Sequence, residues 1–114
     1  MQKTQPTAHH HLFDALMRYQ QRPAIRDAGI QALARLVPVA LRDSGQSRVV
    51  GRFLLGLYNS RDYPFELTTL RNLDACLFDD CLAVLRLDSS PEQEVHEYLA
   101  NGQLIFSQLR EYWA

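Results

Sequence analysis

The chain has 114 residues, 46% hydrophobic and 22% charged, a composition that suits one soluble domain with a real core and excludes general disorder. Its longest apolar stretches, such as Leu36 to Leu41, are too short to cross a bilayer and no hydrophobic signal region follows Lys3, so the expected location is cytoplasmic. The formal net charge of −1 conceals two sorted halves: Met1 to Arg61 carries nine basic and three acidic residues, Asp62 to Ala114 three basic and ten acidic.

Met1 to His11 is polar, contains Pro6 and three consecutive histidines, and lacks apolar periodicity, so it reads as a flexible arm, with residues 12–114 as a single helical domain. A weak helix is expected from Leu12. Pro23 suits the first turn of the next helix, in which Ile25, Gly29, Leu33, Leu36 and Ala40 recur at helical spacing until Pro38 and Asp43 to Gln46 break the segment. Ser47 is expected to cap a central helix with Val49, Val50, Phe53, Leu54, Leu57 and Tyr58 on its apolar face and Arg48 and Arg52 projecting together, one turn apart. Asn59 to Glu66 is a turn with Pro64, where Tyr63 and Phe65 plug the core.

After it, Leu70, Leu73, Leu77, Cys81, Val84 and Leu85 form one helical stripe. Cys76 and Cys81 fall within that helix, about 7.5 Å apart along its axis, so they read as buried thiols and not as a disulfide. Ser90, Pro91 and Gln93 read as the start of a further helix, which Asn101 and Gly102 close with left-handed residues before a last helix bearing Ile105, Phe106, Leu109, Tyr112 and Trp113. No alternating strand pattern competes. The expected fold is all-α, a compact single-domain bundle of five to six helices.

No catalytic constellation is legible. Gly51 and Gly56 have the spacing of a phosphate loop, but Leu57 and Tyr58 replace the required lysine and hydroxyl residue. The His9 to His11 run fixes no coordination geometry, and a metal or hydrolytic site around His96, Asp79 and Asp80 is a remote reading because the two aspartates diverge by about 100° on a helix. No metal or other cofactor is expected. The Asn101–Gly102 junction fails as a DNA-binding helix-turn-helix, since Tyr98 is bulky where a small residue belongs and Arg110 is the second helix's sole cation.

The segment from Leu36 to His96 resembles a family of small uncharacterised bacterial proteins, a domain of unknown function found on integrative conjugative elements and plasmids. The resemblance rests on Asp43–Val49, Phe53–Asn59, Tyr63–Phe65, Leu67, Thr68, Leu70, Arg71, Leu73, Asp74, Phe78–Arg86 and Glu94–His96. It implies a mobile-element setting and no specific activity.

The chain is accordingly expected to be a non-enzymatic accessory protein that associates with a protein partner or with its own copies. The basic surface would be Arg35, Arg42, Arg48 and Arg52, and the acidic one Asp74, Asp79, Asp80, Glu92, Glu94 and Glu97. Arginine suits this task because its planar fork pairs bidentately with carboxylates. The alternative is a DNA- or RNA-binding accessory factor whose arginines contact phosphates; no membrane partner or small-molecule substrate is expected. Which reading holds depends on whether the arginines are taken up by carboxylates of the same molecule.

Overall fold

Helix α1 runs without interruption from Ala8 to Ala40 through both Pro23 and Pro38. The computed structural model describes residues 8–114, with side chains from His11 onward. Sequence reading placed a boundary at Pro23, and the structure removes it. Pro23 deprives the carbonyl four residues earlier, on Tyr19, of its helical donor, and Tyr19 is 75% exposed; in such a solvent-facing stretch that loss costs less than in a core. The segment expected to be an arm is helical in its last residues, from Ala8; residues 1–7 lie outside the described part. Pro38 stands two residues before the end of α1.

Ser44, not Ser47, caps α2 (Gly45–Tyr58): its Oγ accepts the Ser47 amide at 3.0 Å. Ser47 is fully buried, and its hydroxyl lies 2.7 Å from the Ser44 hydroxyl. A buried hydroxyl needs a partner, and placing Ser47 inside the first turn with Ser44 outside it satisfies both groups at once. Helix α2 is the central element, in contact with α1, with both later α-helices and with two short 3₁₀ helices. Val50, Phe53, Leu54 and Leu55 fill its inner face.

The stripe that reads as one helix from Leu70 to Leu85 is divided into a 3₁₀ helix, Leu67–Asn72, and α3, Ala75–Asp88. Gln46 makes the division: its Oε1 accepts the Asp74 amide at 2.7 Å and its Nε2 donates to Asp74 Oδ2 at 3.0 Å, fixing the residue ahead of α3. Cys81, Val84 and Leu87 are the buried residues of α3. Gly29 of α1 lets the helices touch, because a β-carbon there would stand 2.5 Å from Leu87 Cβ.

No α-helix starts at Pro91. Residues 91–94 are irregular, and a 3₁₀ helix, Val95–Tyr98, follows with the capping box shifted to Glu94 and Glu97. Tertiary contacts hold the irregular segment: Arg22 donates to the Ser90 carbonyl, and the Glu92 amide donates to the Tyr98 hydroxyl at 3.3 Å. Helix α4 spans Gly102–Trp113. Asn101 has φ −116° and no described glycine has positive φ, so the expected left-handed closure does not occur. Gly102 is there for space, as a β-carbon would collide with the His96 carbonyl.

The all-α bundle expected from the periodicity is present, as four α-helices and two 3₁₀ helices among the described residues. One core joins Leu33 and Leu36 of α1, the inner face of α2, Cys81 and Val84 of α3, Val95, and Phe106 and Leu109 of α4. No described helix is long and apolar enough to cross a membrane.

Candidate functional site

The sorted charges meet inside the molecule. Arg35 of α1 grips Asp80 of α3 bidentately, with Nη2 2.8 Å from Oδ1 and Nε 3.1 Å from Oδ2. The Asp80 side chain is 13% exposed. The hydrogen bond to Asp80 and then its negative charge raise the Arg35 pKa. Arg22 and Arg26, one turn apart on α1, both reach Glu92, at 3.6 and 3.2 Å. Much of the charge sorting therefore clamps α1 onto α3 and the segment after it.

The expected acidic surface is dispersed in the same way. Asp74 is tied to Gln46, Asp80 to Arg35 and Glu92 to Arg22 and Arg26, while Glu94 and Glu97 cap each other's backbone. Asp79 is exposed, about 100° around α3 from Asp80. These carboxylates form no single ridge.

Of the expected basic set, Arg42, Arg48 and Arg52 are exposed and make no ion pair with a described carboxylate. Arg42 lies in the α1–α2 turn. Arg48 and Arg52 stand on the outer face of α2 and line a groove of about 790 Å³ with Trp113 of α4 and the turn Asp62–Glu66. Trp113, Asp62 and Glu66 join the site only through the fold, and nothing in their local sequence marks them.

Trp113 is set by three contacts. Its Nε1 donates to the Ala40 carbonyl at 2.8 Å, closing the end of α1. Its indole lies against Gly51, where a β-carbon would collide with it. Its own carbonyl accepts from Arg52 Nε at 3.2 Å, which fixes the Arg52 guanidinium at the groove while its terminal amino groups remain outside any carboxylate pair. The groove thus carries two cations, two carboxylates and aromatic surface from Tyr63, Phe65 and Trp113.

His96 packs into the α2–α4 junction. It is half-buried, edge-on to Tyr58 at 5.2 Å and near Phe106 at 6.3 Å, and its buried Nδ1 has no hydrogen-bond partner among the described residues. Arg110, the cation of the rejected helix-turn-helix, sits over the Tyr58 ring at 5.5 Å. Among the described residues no group of three histidine, cysteine or acidic side chains is placed to hold a metal; the side chains of His9 and His10 lie outside them.

The two cysteines differ, and only one is buried. Cys76 is exposed, whereas Cys81 is enclosed and its thiol is pushed up to about 12, by burial first and by the Asp80 charge second. Iodoacetamide at neutral pH is expected to label native protein once, at Cys76, and unfolded protein at both sites, because the thiolate is the nucleophile. Intact-mass analysis showing double labelling of native protein would contradict this. The same shift makes the neutral Cys81 thiol stabilising below about pH 9.0, the ordinary thiol value, with that contribution lost as pH rises toward 12.

A family model described as a family of unknown function, DUF7673, matches residues 30–114. No curated protein and no solved structure matches the chain.

Proposed function

We propose that this chain, which belongs to the family of unknown function DUF7673, is a non-enzymatic accessory protein that binds a carboxylate-bearing polypeptide segment in the groove between α2, α4 and the Asp62–Glu66 turn. The observation that carries this reading is the position of Arg48 and Arg52. They are left out of the internal carboxylate pairs, one turn apart, on the wall of a groove whose volume of about 790 Å³ is in the range of binding clefts. Two guanidinium forks one turn apart favour carboxylates, and the rings of Trp113, Tyr63 and Phe65 offer apolar area for neighbouring side chains.

Asp62 and Glu66 on the same groove favour a polypeptide over nucleic acid. A polyanion meeting them would be repelled, whereas a peptide carrying both signs would be matched. The loss of Arg35 to Asp80 further reduces the cationic surface on which the DNA- or RNA-binding alternative relies. The non-enzymatic reading rests on the titratable groups being engaged in structure: Asp80 and Glu92 in ion pairs, Cys81 held as a neutral thiol, and His96 packed against the Tyr58 and Phe106 rings. A bacterial mobile element is the proposed setting, and a protein of that element or its host the proposed partner.

A displayed random-peptide library selected on the full chain is expected to enrich sequences that combine Asp or Glu with Lys or Arg and aromatic residues. Replacing Arg48 and Arg52 together by alanine should weaken a selected peptide at least about a hundredfold, at 1.5–3 kcal/mol per charged hydrogen bond, with the helical fold retained and only the Arg52 hydrogen bond to the Trp113 carbonyl lost. Equal binding by wild type and double variant would sink the proposal. Tight, steeply salt-dependent binding of a DNA duplex or an RNA strand, lost in the same variant, would establish the alternative instead.

A further inference from the structure

Helix α1 has two apolar faces, and they point in nearly opposite directions. In the second half, Gly29, Ala32, Leu33, Leu36 and Ala40 are buried against the bundle. In the first half, Leu12, Phe13, Leu16, Met17 and Tyr19 form a compact stripe exposed by 60, 58, 53, 40 and 75%. At about 100° per residue the two sets are centred roughly 150° apart. The stripe is therefore not a continuation of the core face that lacks something to cover it. It is a separate surface on the side of α1 turned away from the bundle.

From this geometry we infer that the Leu12–Tyr19 face of α1 docks against the same face of a second copy of the chain. Area supports this occupant. With about 150–250 Å² for an aromatic side chain and somewhat less for leucine or methionine, the stripe exposes on the order of 500 Å² per copy. That is near the upper end of what monomers leave bare, and pairing two copies removes about 1,000 Å² from water, the floor for a specific, weak interface.

Charge points the same way. The stripe and its neighbour Gln20 contain no charged residue, while Asp14, Arg18 and Arg22 project from the other side of the helix. Two copies can thus meet here without like charges opposing one another, which an isologous contact requires because each residue faces its own counterpart's surroundings. The bundle lies behind α1 and leaves the stripe's approach open. The stripe precedes Ile30, where the family match begins, and none of its residues lines the groove.

Sedimentation velocity of the full chain over a micromolar concentration series tests the inference. The mass is expected to rise from 13.1 kDa toward twice that value, and Leu12→Glu with Leu16→Glu should weaken pairing at least about a hundredfold, holding the protein at monomer mass. Unchanged Trp113 fluorescence and melting temperature would show that the bundle remains folded, and a milder Leu16→Ala variant should give an intermediate shift. A wild type that stays at 13.1 kDa throughout would overturn the inference, as would a dimer that the double glutamate variant leaves intact. So would a monomer that binds lipid vesicles through the stripe. Arg48→Ala with Arg52→Ala should dimerise normally, which separates failure of this interface from failure of the groove.

Discussion

Phe106→Ala is expected to cost about 3–5 kcal/mol of stability, the range for removing a fully enclosed aromatic ring. Phe106 has no exposed surface. It stacks on Tyr58 of α2 with centroids 5.1 Å apart and an interplanar angle of 24°, and the His96 ring, 6.3 Å from it, completes a three-ring cluster with Tyr58. Alanine would leave a cavity at the junction of α2, α4 and the Val95–Tyr98 turn, next to a His96 Nδ1 that already lacks a partner. Collapse there is hindered because Tyr58 is also held by Arg110. The groove should suffer with the fold, since Phe106 seats the helix that carries Trp113. Urea unfolding monitored by Trp113 fluorescence checks the stability, and peptide binding checks the groove. A loss under 1 kcal/mol, below the cavity range, would show that α4 is anchored elsewhere. The contrast with the Arg48 and Arg52 variant is diagnostic: that change should weaken binding strongly while costing far less stability, the single Arg52 hydrogen bond to the Trp113 carbonyl.

The helical class was legible because it is written in local periodicity. Leu33, Leu36 and Ala40, then Val50, Phe53 and Leu54, then Cys81 and Val84 repeat at helical intervals, and all are buried. Boundaries were less legible where a distant residue decides them. Gln46 fixes the start of α3 from 28 residues away, and Arg22 holds the Ser90 carbonyl across 68; neither contact leaves a trace in the spacing around the segment it organises. Charge sorting was visible, but its use was not. The halves could neutralise each other or face outward, and the fold does both, giving Arg35 to Asp80 and leaving Arg48 and Arg52 exposed. Trp113 was read only as a helix residue, since its partners Ala40, Gly51 and Arg52 lie at least 61 residues away. The apolar residues Leu12, Phe13, Leu16 and Met17 were visible as a weak helix. That their face opposes the core follows only once Pro23 is seen to leave α1 unbroken.

Gly102→Ala is the other substitution expected to be severe, at about 3 kcal/mol or more, although it adds a single methyl group. The reason is what that methyl would strike. At Gly51 the obstacle is the Trp113 side chain, which has rotamers to use, but at Gly102 it is the backbone carbonyl of His96, with the carbonyl carbon and Cα behind it. That backbone cannot swing aside cheaply. His96 lies in a 3₁₀ turn closed by the Glu94–Glu97 capping box, and its carbonyl accepts the Leu99 amide. Relief must come from moving the first turn of α4 away from that turn, which would pull Phe106 off Tyr58 and break the Ile105 amide's bond to the Asn101 carbonyl. Conformational freedom does not explain the glycine, as its φ is not positive; alanine would otherwise favour the helix by up to about 1 kcal/mol. Thermal unfolding decides between the two effects. A raised melting temperature would mean that helix propensity outweighs the clash, and a fall well beyond that of Gly45→Ala, where a β-carbon meets nothing within 4 Å, identifies the His96 carbonyl as the constraint.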